Sequence, residues 1–365
     1  MKPQPEKTDQ ATATSTNQPL LRVRDLSITF NTEDGTELQA VRGLDLSVFP
    51  GQVVSLVGES GCGKSVTALS MLRLLPEPPA TVGAKSIELD GRDLTQLTTK
   101  EMRAVRGSEI AMIFQEPMTS LNPVFSIGDQ LIEAVSLHQK VGRRDAREIA
   151  ATALADVGIT DPMQRMREYP HQFSGGMRQR VMIAMGLVCE PRLLVADEPT
   201  TALDVTTQAA VLKQLEKLAR EREMGVLLIT HDLGLVRHHA DIVYVMYGGR
   251  ICECAPVSAL FESPLHPYTR GLLASIPRMG EQVDRLLTID QTFASPQAQQ
   301  VVPGTPQMKP WWPHWTSTSD REPVLWQVAE NHWVSCQPPA DWSEISQKPP
   351  EVAWGRFRPS NSSSQ

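Results

Sequence analysis

Short apolar runs alternate with stretches of helical spacing along residues 21–255 of this chain. Three of the runs consist almost wholly of Val, Leu, Ile and Ala, a composition typical of strands that are buried on both faces. These runs are residues 53–57, 193–196 and 226–230. Because such strands alternate with helices, the pattern predicts an α/β fold in which helices cover a parallel sheet.

The strand pattern stops between residues 115 and 174, and helical spacing replaces it. Residues 127–137 and 146–157 are predicted helices. In the second, the apolar face consists of Ile149, Ala150, Ala153, Leu154 and Val157. A later amphipathic helix is predicted at residues 206–222, and its inward side chains are Leu212, Leu215 and Leu218. We therefore expect a helical region beside the sheet.

Composition and charge narrow the classes of protein. The chain has 365 residues, enough for two domains, and a formal net charge of -7. No basic run stands out, so nucleic acid is not an expected partner. No apolar run approaches the ~18 residues that a membrane span needs. Residues 1–20 are polar, and we expect them to be disordered rather than a signal peptide. A cytoplasmic protein is expected.

The predicted strand at 53–57 leads into a glycine-rich segment that fits the pattern G-x-x-x-x-G-K-[ST]. Glycines let backbone N–H groups turn toward phosphate oxygens, and a helix predicted at 66–75 would point its N-terminus at them. Lys64 would reach the β- and γ-phosphates, and the Ser65 hydroxyl would hold Mg²⁺. The sequence therefore predicts a nucleotide site at Gly58, Glu59, Ser60, Gly61, Cys62, Gly63, Lys64 and Ser65.

Cys62 lies in this loop near a helix N-terminus, a position expected to favour the thiolate. The alternative is an inert small residue in the place of a serine. If the thiolate forms, alkylation of Cys62 should block activity.

Two carboxylates, Asp197 and Glu198, follow the predicted strand at 193–196. A carboxylate at a strand end beside bound Mg²⁺ can bind the metal, and Asp197 is placed for this role. Glu198 could act as the general base that polarises an attacking water. The alternative is a pair of solvated acids.

A glycine turn precedes the helix predicted at 178–188. Ser174 has the character of an N-cap, and Gly175 and Gly176 would leave the first N–H groups of the helix accessible. The alternative is a turn that only introduces a core helix.

In this order and spacing, the motifs resemble those of the ATP-binding subunit of an ABC transporter, over about residues 21–280. Ser174-Gly175-Gly176 is similar to the family signature, with Phe173 and Met177 replacing the commoner Leu and Gln. Gln115 is similar to the Q-loop glutamine. Ala202-Leu203-Asp204 is similar to the D-loop, and His231 to the switch histidine.

Phe30 is similar to the aromatic residue that stacks on adenine in this family. Leu26, Ile28 and Phe30 also alternate on one strand face, which is equally typical of a core strand. Both interpretations of Phe30 stay open.

The resemblance implies a P-loop NTPase fold: an ABC nucleotide-binding domain over residues 21–255, with a helical subdomain at about 117–190. It implies ATP and Mg²⁺ as cofactors. Implied catalytic residues are Glu198, His231 and Gln115, and implied metal ligands are Ser65, Gln115 and Asp197. Implied ATP contacts are Phe30, residues 58–65, Ser174, Gly175, Gly176 and Asp204. Each ATP would lie between two such domains, so a second subunit, identical or paralogous, is an expected partner.

Residues 256–365 are expected to form a small irregular C-terminal extension. Residues 266–273 and 116–123 resemble segments of peptide-type importers, whose ATP-binding subunits often continue with a cysteine-rich tail for an iron–sulfur cluster. Only Cys336 lies after residue 275, so such a cluster is excluded.

All seven tryptophans follow residue 310, and we expect a partly ordered tail. The Cys252-Glu253-Cys254 run is interpreted as a strand with both thiols on one face rather than as a metal pair.

The implied function is ATP hydrolysis that powers import of small peptides. Two transmembrane permease subunits and, indirectly, a periplasmic solute-binding protein are expected partners, at the cytoplasmic face of a bacterial inner membrane. Glutathione or nickel import are related alternatives. An alternative of another class is a soluble ABC ATPase, for which no long coiled coil or second nucleotide domain is evident.

Overall fold

The computed structural model describes residues 18–32, 34–115, 120–200, 203–276, 292, 298, 300–312 and 322–338. The strands, in chain order, are β1 (Leu21–Asn31), β2 (Glu37–Val48), β3 (Val53–Val57), β4 (Ala80–Gly83), β5 (Ser86–Leu89), β6 (Arg92–Asp93), β7 (Ile110–Ile113), β8 (Leu193–Asp197), β9 (Gly225–Thr230), β10 (Ile242–Tyr247), β11 (Arg250–Pro256), β12 (Lys309–Pro310), β13 (Val324–Ala329) and β14 (His332–Gln337).

The α-helices are α1 (Lys64–Met71), α2 (Thr99–Val105), α3 (Ile127–His138), α4 (Arg143–Asp156), α5 (Pro162–Arg165), α6 (Gly175–Leu187), α7 (Val205–Glu221), α8 (Leu233–His239), α9 (Val257–Glu262) and α10 (Pro267–Ala274). Short 3-10 helices span Leu94–Gln96 and Pro170–Gln172. Strands and helices alternate as the sequence pattern predicts, and the α/β fold is confirmed.

A parallel sheet runs through the middle of the molecule. Its parallel strands lie in the order β10-β3-β9-β8-β7, so β3, which leads into the glycine-rich loop, lies inside the sheet. All five residues of β3 and of β8 are buried, which explains their continuous apolar sequence. The carboxyl ends of these strands meet at one edge, where functional loops gather.

A second, antiparallel sheet covers one face of this core. Its order is β2-β1-β5-β6, with β4 pairing β1. Side chains from both sheets share one apolar cluster, which includes Leu26 and Ile28 from β1 and Leu56 from β3. Phe30 lies at the far end of β1 and packs against the same cluster while only partly buried.

Helices α3, α4, α6 and α7 cover the other face. The predicted apolar face of α4 is confirmed, since Ala150, Ala153 and Leu154 are buried in the cluster that these helices share with the sheet. The inward face of α7 is confirmed as well, with Leu212, Leu215 and Leu218 buried.

Helix α1 is shorter than the predicted 66–75, because it ends at Met71. Arg73 takes a left-handed conformation (φ 50°), and the Leu74 N–H donates to the Leu69 carbonyl at 2.9 Å. This closing turn ends the helix although apolar residues continue beyond it.

The C-terminal extension contains more regular structure than the expected irregular segment. Helices α9 and α10 follow β11, and β14 pairs antiparallel with β11, so the extension continues the central sheet. Trp333 and Trp312 are buried in clusters shared with strands of the central sheet, which confirms an ordered part of the tail. Trp315, Trp342 and Trp354 lie outside the described residues.

The interpretation of Cys252 and Cys254 as thiols on one strand face is wrong. The β10–β11 register shifts between Val245/Glu253 and Met246/Ile251, so Cys252 is the extra residue of a bulge. The bulge turns the two side chains into different apolar clusters. The described residues contain no group of three or more His, Cys, Asp or Glu side chains arranged for a metal ion.

No helix within the described ranges is both long enough and apolar enough to cross a membrane.

Candidate functional site

The glycine-rich loop turns sharply between β3 and α1. Gly58 and Gly63 have φ values of 157° and 111°. A Cβ on Gly58 would lie 2.2 Å from the Met246 carbonyl oxygen, and one on Gly63 would lie 2.6 Å from that of Ala40. Glycine is therefore required at both positions, because neighbouring backbone approaches the loop closely.

Lys64, the first residue of α1, folds its side chain back over the loop. Its Nζ donates to the carbonyl oxygens of Gly58 at 2.8 Å and Glu59 at 2.7 Å. The side chain is buried. The ammonium group is thus held on the loop, at the place where the motif would receive phosphate charge.

Asp197, at the end of β8, lies against the loop. Its carboxylate accepts a hydrogen bond from the Ser65 hydroxyl. Burial raises the pKa of Asp197, and the charge of Glu198 adds to this effect, while Ser65 and Lys64 oppose it. Its Oδ1 is buried without a hydrogen-bond partner among the described residues.

This arrangement fits a divalent cation. A buried carboxylate oxygen without a donor is costly unless a cation is bound, and Mg²⁺ prefers carboxylate, hydroxyl and phosphate oxygens. Ser65 and Asp197 are the first candidates as ligands, as the sequence predicts. The metal would supply charge neutralisation at the phosphates.

Glu198 lies between two other predicted site residues. Its Oε2 accepts from Gln115 Nε2 at 2.9 Å, and its Oε1 is 3.0 Å from His231 Nδ1. The side chain is 15% exposed, so solvent reaches only a small part of it. Glu198 has a left-handed backbone (φ 47°), a conformation that costs free energy in a non-glycine residue.

The topology explains why these three residues meet. Gln115 follows β7, Glu198 follows β8 and His231 follows β9, and the three strands are parallel neighbours. Their carboxyl ends therefore lie side by side. The Glu198 N–H also donates to the Ile229 carbonyl at 2.9 Å, which fixes the turn after β8.

The signature turn lies elsewhere, at the N-terminus of α6. Ser174 caps this helix by accepting from the Met177 N–H at 3.3 Å. Ser174 and Gly175 are exposed, and a Cβ at Gly175 would have no atom of the described residues within 4 Å. Helix α6 packs against α3, α4 and β7. The turn therefore points outward from the helical side of the molecule.

The predicted D-loop residue Asp204 lies near this turn. It caps α7 by accepting from the Thr207 N–H at 3.0 Å. A Cβ on Gly176 would lie 3.3 Å from Leu203 Cδ2, so the signature and the D-loop are neighbours. Ala202 and residues 116–119 lie outside the described residues.

The expectation of a thiolate at Cys62 is wrong. Burial raises the pKa of the Cys62 thiol, and this outweighs the attraction of Lys64, whose Nζ is 3.7 Å from the sulfur. The neutral thiol is therefore the favoured form, which agrees with the alternative interpretation of a small residue in the loop.

Two contacts at the site have no counterpart in the sequence-based prediction. The Tyr268 hydroxyl, from α10, accepts from the Glu59 N–H at 2.9 Å. The buried Gln179 side chain of α6 donates through Nε2 to the Pro199 carbonyl, directly after Glu198. Neither residue belongs to a periodic or glycine-rich pattern, so no sequence signal marked it beyond the resemblance of residues 266–273.

Comparison with known proteins identifies the family to which this chain belongs. Residues 41–201 match the family described as ABC transporter, and residues 252–304 match the oligopeptide/dipeptide transporter C-terminal region. The dipeptide transport ATP-binding protein DppD of Bacillus subtilis (strain 168) is 50% identical over 273 residues, which is 75% of this chain and 81% of that protein. The chain belongs to the ATP-binding proteins of ABC transporters.

Two further comparisons agree with this assignment. The oligopeptide transport ATP-binding protein OppD of the same organism is 43% identical over 326 residues, covering 86% of this chain and 87% of that protein. The dimeric post-hydrolysis structure of the ATP-binding cassette MJ0796, bound to ADP and Pi, has a TM-score of 0.58 and 23% identity. It covers 65% of this chain and 98% of the cassette, and it supports the fold.

Proposed function

We propose that this ATPase powers the import of small peptides through a membrane ABC transporter. The observation that carries the proposal is Glu198 held between Gln115 and His231, beside Asp197 and the phosphate loop. The match of residues 252–304 to the oligopeptide/dipeptide transporter region supports peptides as the cargo class.

In the proposed mechanism, the loop N–H groups and Lys64 bind the phosphates. Ser65 and Asp197, with the Gln115 side-chain oxygen, are the proposed ligands of Mg²⁺. Glu198 accepts a proton from the attacking water at the carboxylate that Gln115 and His231 orient. The two hydrogen bonds hold this carboxylate in place, so little reorganisation is needed at the reaction step. Phe30 is proposed to stack on adenine.

Ser174, Gly175, Gly176 and Asp204 are proposed to act on ATP bound by a second nucleotide-binding subunit. The exposure of Ser174, Gly175 and Asp204 at the starts of α6 and α7 supports this role. Two such subunits would close over ATP and open after hydrolysis, and this cycle would drive two transmembrane permease subunits.

We further infer the domain limits and location. Residues 21–255 form the nucleotide-binding domain, with the helical subdomain at about 117–190, and residues 256–365 form the extension. The subunit is peripheral at the cytoplasmic face of the inner membrane. A periplasmic solute-binding protein delivers the cargo without contacting this chain.

Uptake of labelled dipeptides, oligopeptides, glutathione and nickel separates the candidate cargoes. Cells lacking this gene should lose peptide uptake, and the wild-type gene should restore it while the Glu198→Gln variant should not. Loss of glutathione or nickel uptake alone would assign the other cargo. Unchanged uptake of all four would favour an ABC ATPase outside transport.

A further inference from the structure

The C-terminal extension contacts the phosphate loop directly. Tyr268, the second residue of α10, is fully buried, and its hydroxyl accepts from the Glu59 N–H at 2.9 Å. Glu59 is the second residue of the loop that begins at Gly58. Burial raises the pKa of Tyr268 far above its usual range, so the hydroxyl stays neutral. The Glu59 N–H of the loop is therefore already hydrogen-bonded within the protein.

Helix α10 is held rigidly at the end that carries Tyr268. The His266 Nδ1 accepts from the Tyr268 N–H at 3.2 Å, and its Nε2 donates to the Trp311 carbonyl at 2.9 Å. The buried Glu253 carboxylate accepts from the N–H groups of His266 at 2.9 Å and Leu265 at 2.8 Å. Buried hydrogen bonds of this kind fix position, because breaking one leaves an unpaired polar group.

The Tyr268 ring is also held from the side. Tyr247 lies against it with 4.5 Å between ring centroids, and Trp312 stacks on Tyr247 at 4.6 Å. Tyr247 ends β10, the strand that pairs with β3 and whose Met246 carbonyl closely faces Gly58. Aromatic contacts at these distances favour one ring orientation. Strand β10 and the extension thus enclose the start of the loop.

We propose that Tyr268 is a positioning residue for the phosphate loop: its hydroxyl fixes the Glu59 N–H and so presets the loop curvature that binds ATP. This rests on the proposed function, in that the loop is taken to bind the ATP phosphates. The extension thereby becomes part of the nucleotide site, although no atom of it needs to touch ATP. A loop that is already curved binds phosphate without the entropic cost of ordering.

The test compares Tyr268→Phe with Tyr244→Phe in the full chain. Tyr244 serves as the control, because its buried hydroxyl also accepts a backbone N–H, that of Ser47 at 3.1 Å, away from the loop; the same hydroxyl also hydrogen-bonds Cys254. Each variant loses one hydroxyl acceptor and keeps its ring. We expect Tyr268→Phe to raise the Kd and KM for Mg-ATP about 3- to 10-fold, with kcat within about twofold, as loss of one net hydrogen bond implies. Tyr244→Phe should lower Tm about as much as Tyr268→Phe does, and it should leave the Kd for Mg-ATP within about twofold of wild type.

Equal Mg-ATP affinity in wild type and Tyr268→Phe would overturn the proposal, as would equal affinity losses in both variants. If wild type itself fails to bind Mg-ATP, the proposed function fails instead.

Hydrogen exchange gives a second measurement, which reads the contact itself in the wild-type chain and in the variant. The Glu59 amide of the wild-type chain should be protected without nucleotide, and Tyr268→Phe should lose that protection while the Ser47 amide keeps its own. An unprotected Glu59 amide in wild type would contradict the contact on which the proposal depends.

Discussion

The two groups of proposed site residues differ in where their contacts lie. Around the phosphate loop, Asp197 contacts Ser65, and Glu198 contacts both Gln115 and His231. At the signature turn, Ser174 and Gly175 are exposed. The first group is self-contained, because its residues contact one another within one chain. The second group lies on the surface of the chain. We infer that a complete site takes its first half from one chain and its second half from another.

The fold accounts for this difference. The first group lies on loops after adjacent parallel strands, which the sheet brings together. The signature lies on α6, which packs among the helices. The sheet brings the first group together within one chain, and α6 holds the signature turn on the outer side of the helices.

The largest effect should come from Glu198→Gln, which removes the proposed base from the self-contained group. The amide is isosteric and can still contact Gln115 and His231, so ATP binding should stay nearly unchanged. Hydrolysis should slow by at least ~10², the range of general-base contributions. Single-turnover ATPase rates and a nucleotide-binding titration test this. Turnover within tenfold of wild type would exclude Glu198 as the main base.

The chain offers a matched control for this variant. Glu216 also lies beside a histidine, with its Oε2 3.4 Å from His239 Nδ1, but on α7 away from the strand ends. Glu216→Gln should leave turnover unchanged. A comparable slowing in both variants would mean that any carboxylate–histidine pair in this fold affects the rate.

Lys64→Ala changes the same group of residues and should weaken the binding of ATP. The ammonium that donates to Gly58 and Glu59 would be lost from the loop. We expect the Kd for Mg-ATP to rise about 10- to 100-fold, the range for a charge-assisted hydrogen bond. Lys100→Ala, an exposed lysine on α2, serves as the control. Unchanged affinity in Lys64→Ala would contradict the assignment of the loop.

Much of the self-contained group could be predicted from the sequence. The loop pattern, the buried strands and the carboxylates at their ends are local features, and parallel neighbours bring strand ends together. Gln115, Glu198 and His231, to which the family resemblance gives catalytic roles, follow three such strands and contact one another. The signature could be located as a capped helix start, but its outward orientation follows only from how α6 packs.

Other features could not be predicted, for physical reasons. The Tyr268–Glu59 contact joins residues 209 positions apart, and a single hydroxyl leaves no periodic trace. The bulge at Cys252 inserts one residue into a strand and reverses side-chain faces without a compositional signal. The environment of Cys62 depends on how much water the fold removes around the thiol, which local sequence does not specify.

A variant at the signature sharpens the comparison. Gly175→Asp should fit within its own chain, because the Cβ position is open and an acid at a helix N-terminus is favourable. Affinity of the single chain for Mg-ATP should stay within about twofold. Steady-state hydrolysis should fall at least ~10-fold, since the new carboxylate would face the phosphates bound by a second subunit.

Gly142→Asp is the control for this variant, because it adds the same charge at the exposed start of α4. Hydrolysis in that control should be unchanged. Full activity of Gly175→Asp would mean that the exposed signature faces no nucleotide, and the inference of a site shared between chains would fall.

The smallest effect concerns pH and the support that the extension gives to the loop. Burial lowers the pKa of His266 to about 4, against the opposing effects of Glu253 and the Trp311 carbonyl. The unfolded chain binds this proton near the ordinary histidine pKa of about 6.5. Below that value the unfolded state binds more protons than the folded state, so stability falls as pH falls from about 6.5 to about 4. By pH 5.5 the loss should be about 1 kcal/mol.

Urea unfolding of wild type and His266→Asn between pH 7.5 and 5 measures this contribution. Asparagine keeps an acceptor at the start of α10 but does not titrate in this range. The variant is expected to be less stable than wild type at pH 7.5, because the Trp311 carbonyl loses its hydrogen-bond donor. On acidification to pH 5.5, its free energy of unfolding should fall by about 1 kcal/mol less than that of wild type. Equal losses in the two proteins would show that His266 does not titrate as its burial requires. The acid sensitivity of the loop's support would then have to come from another group.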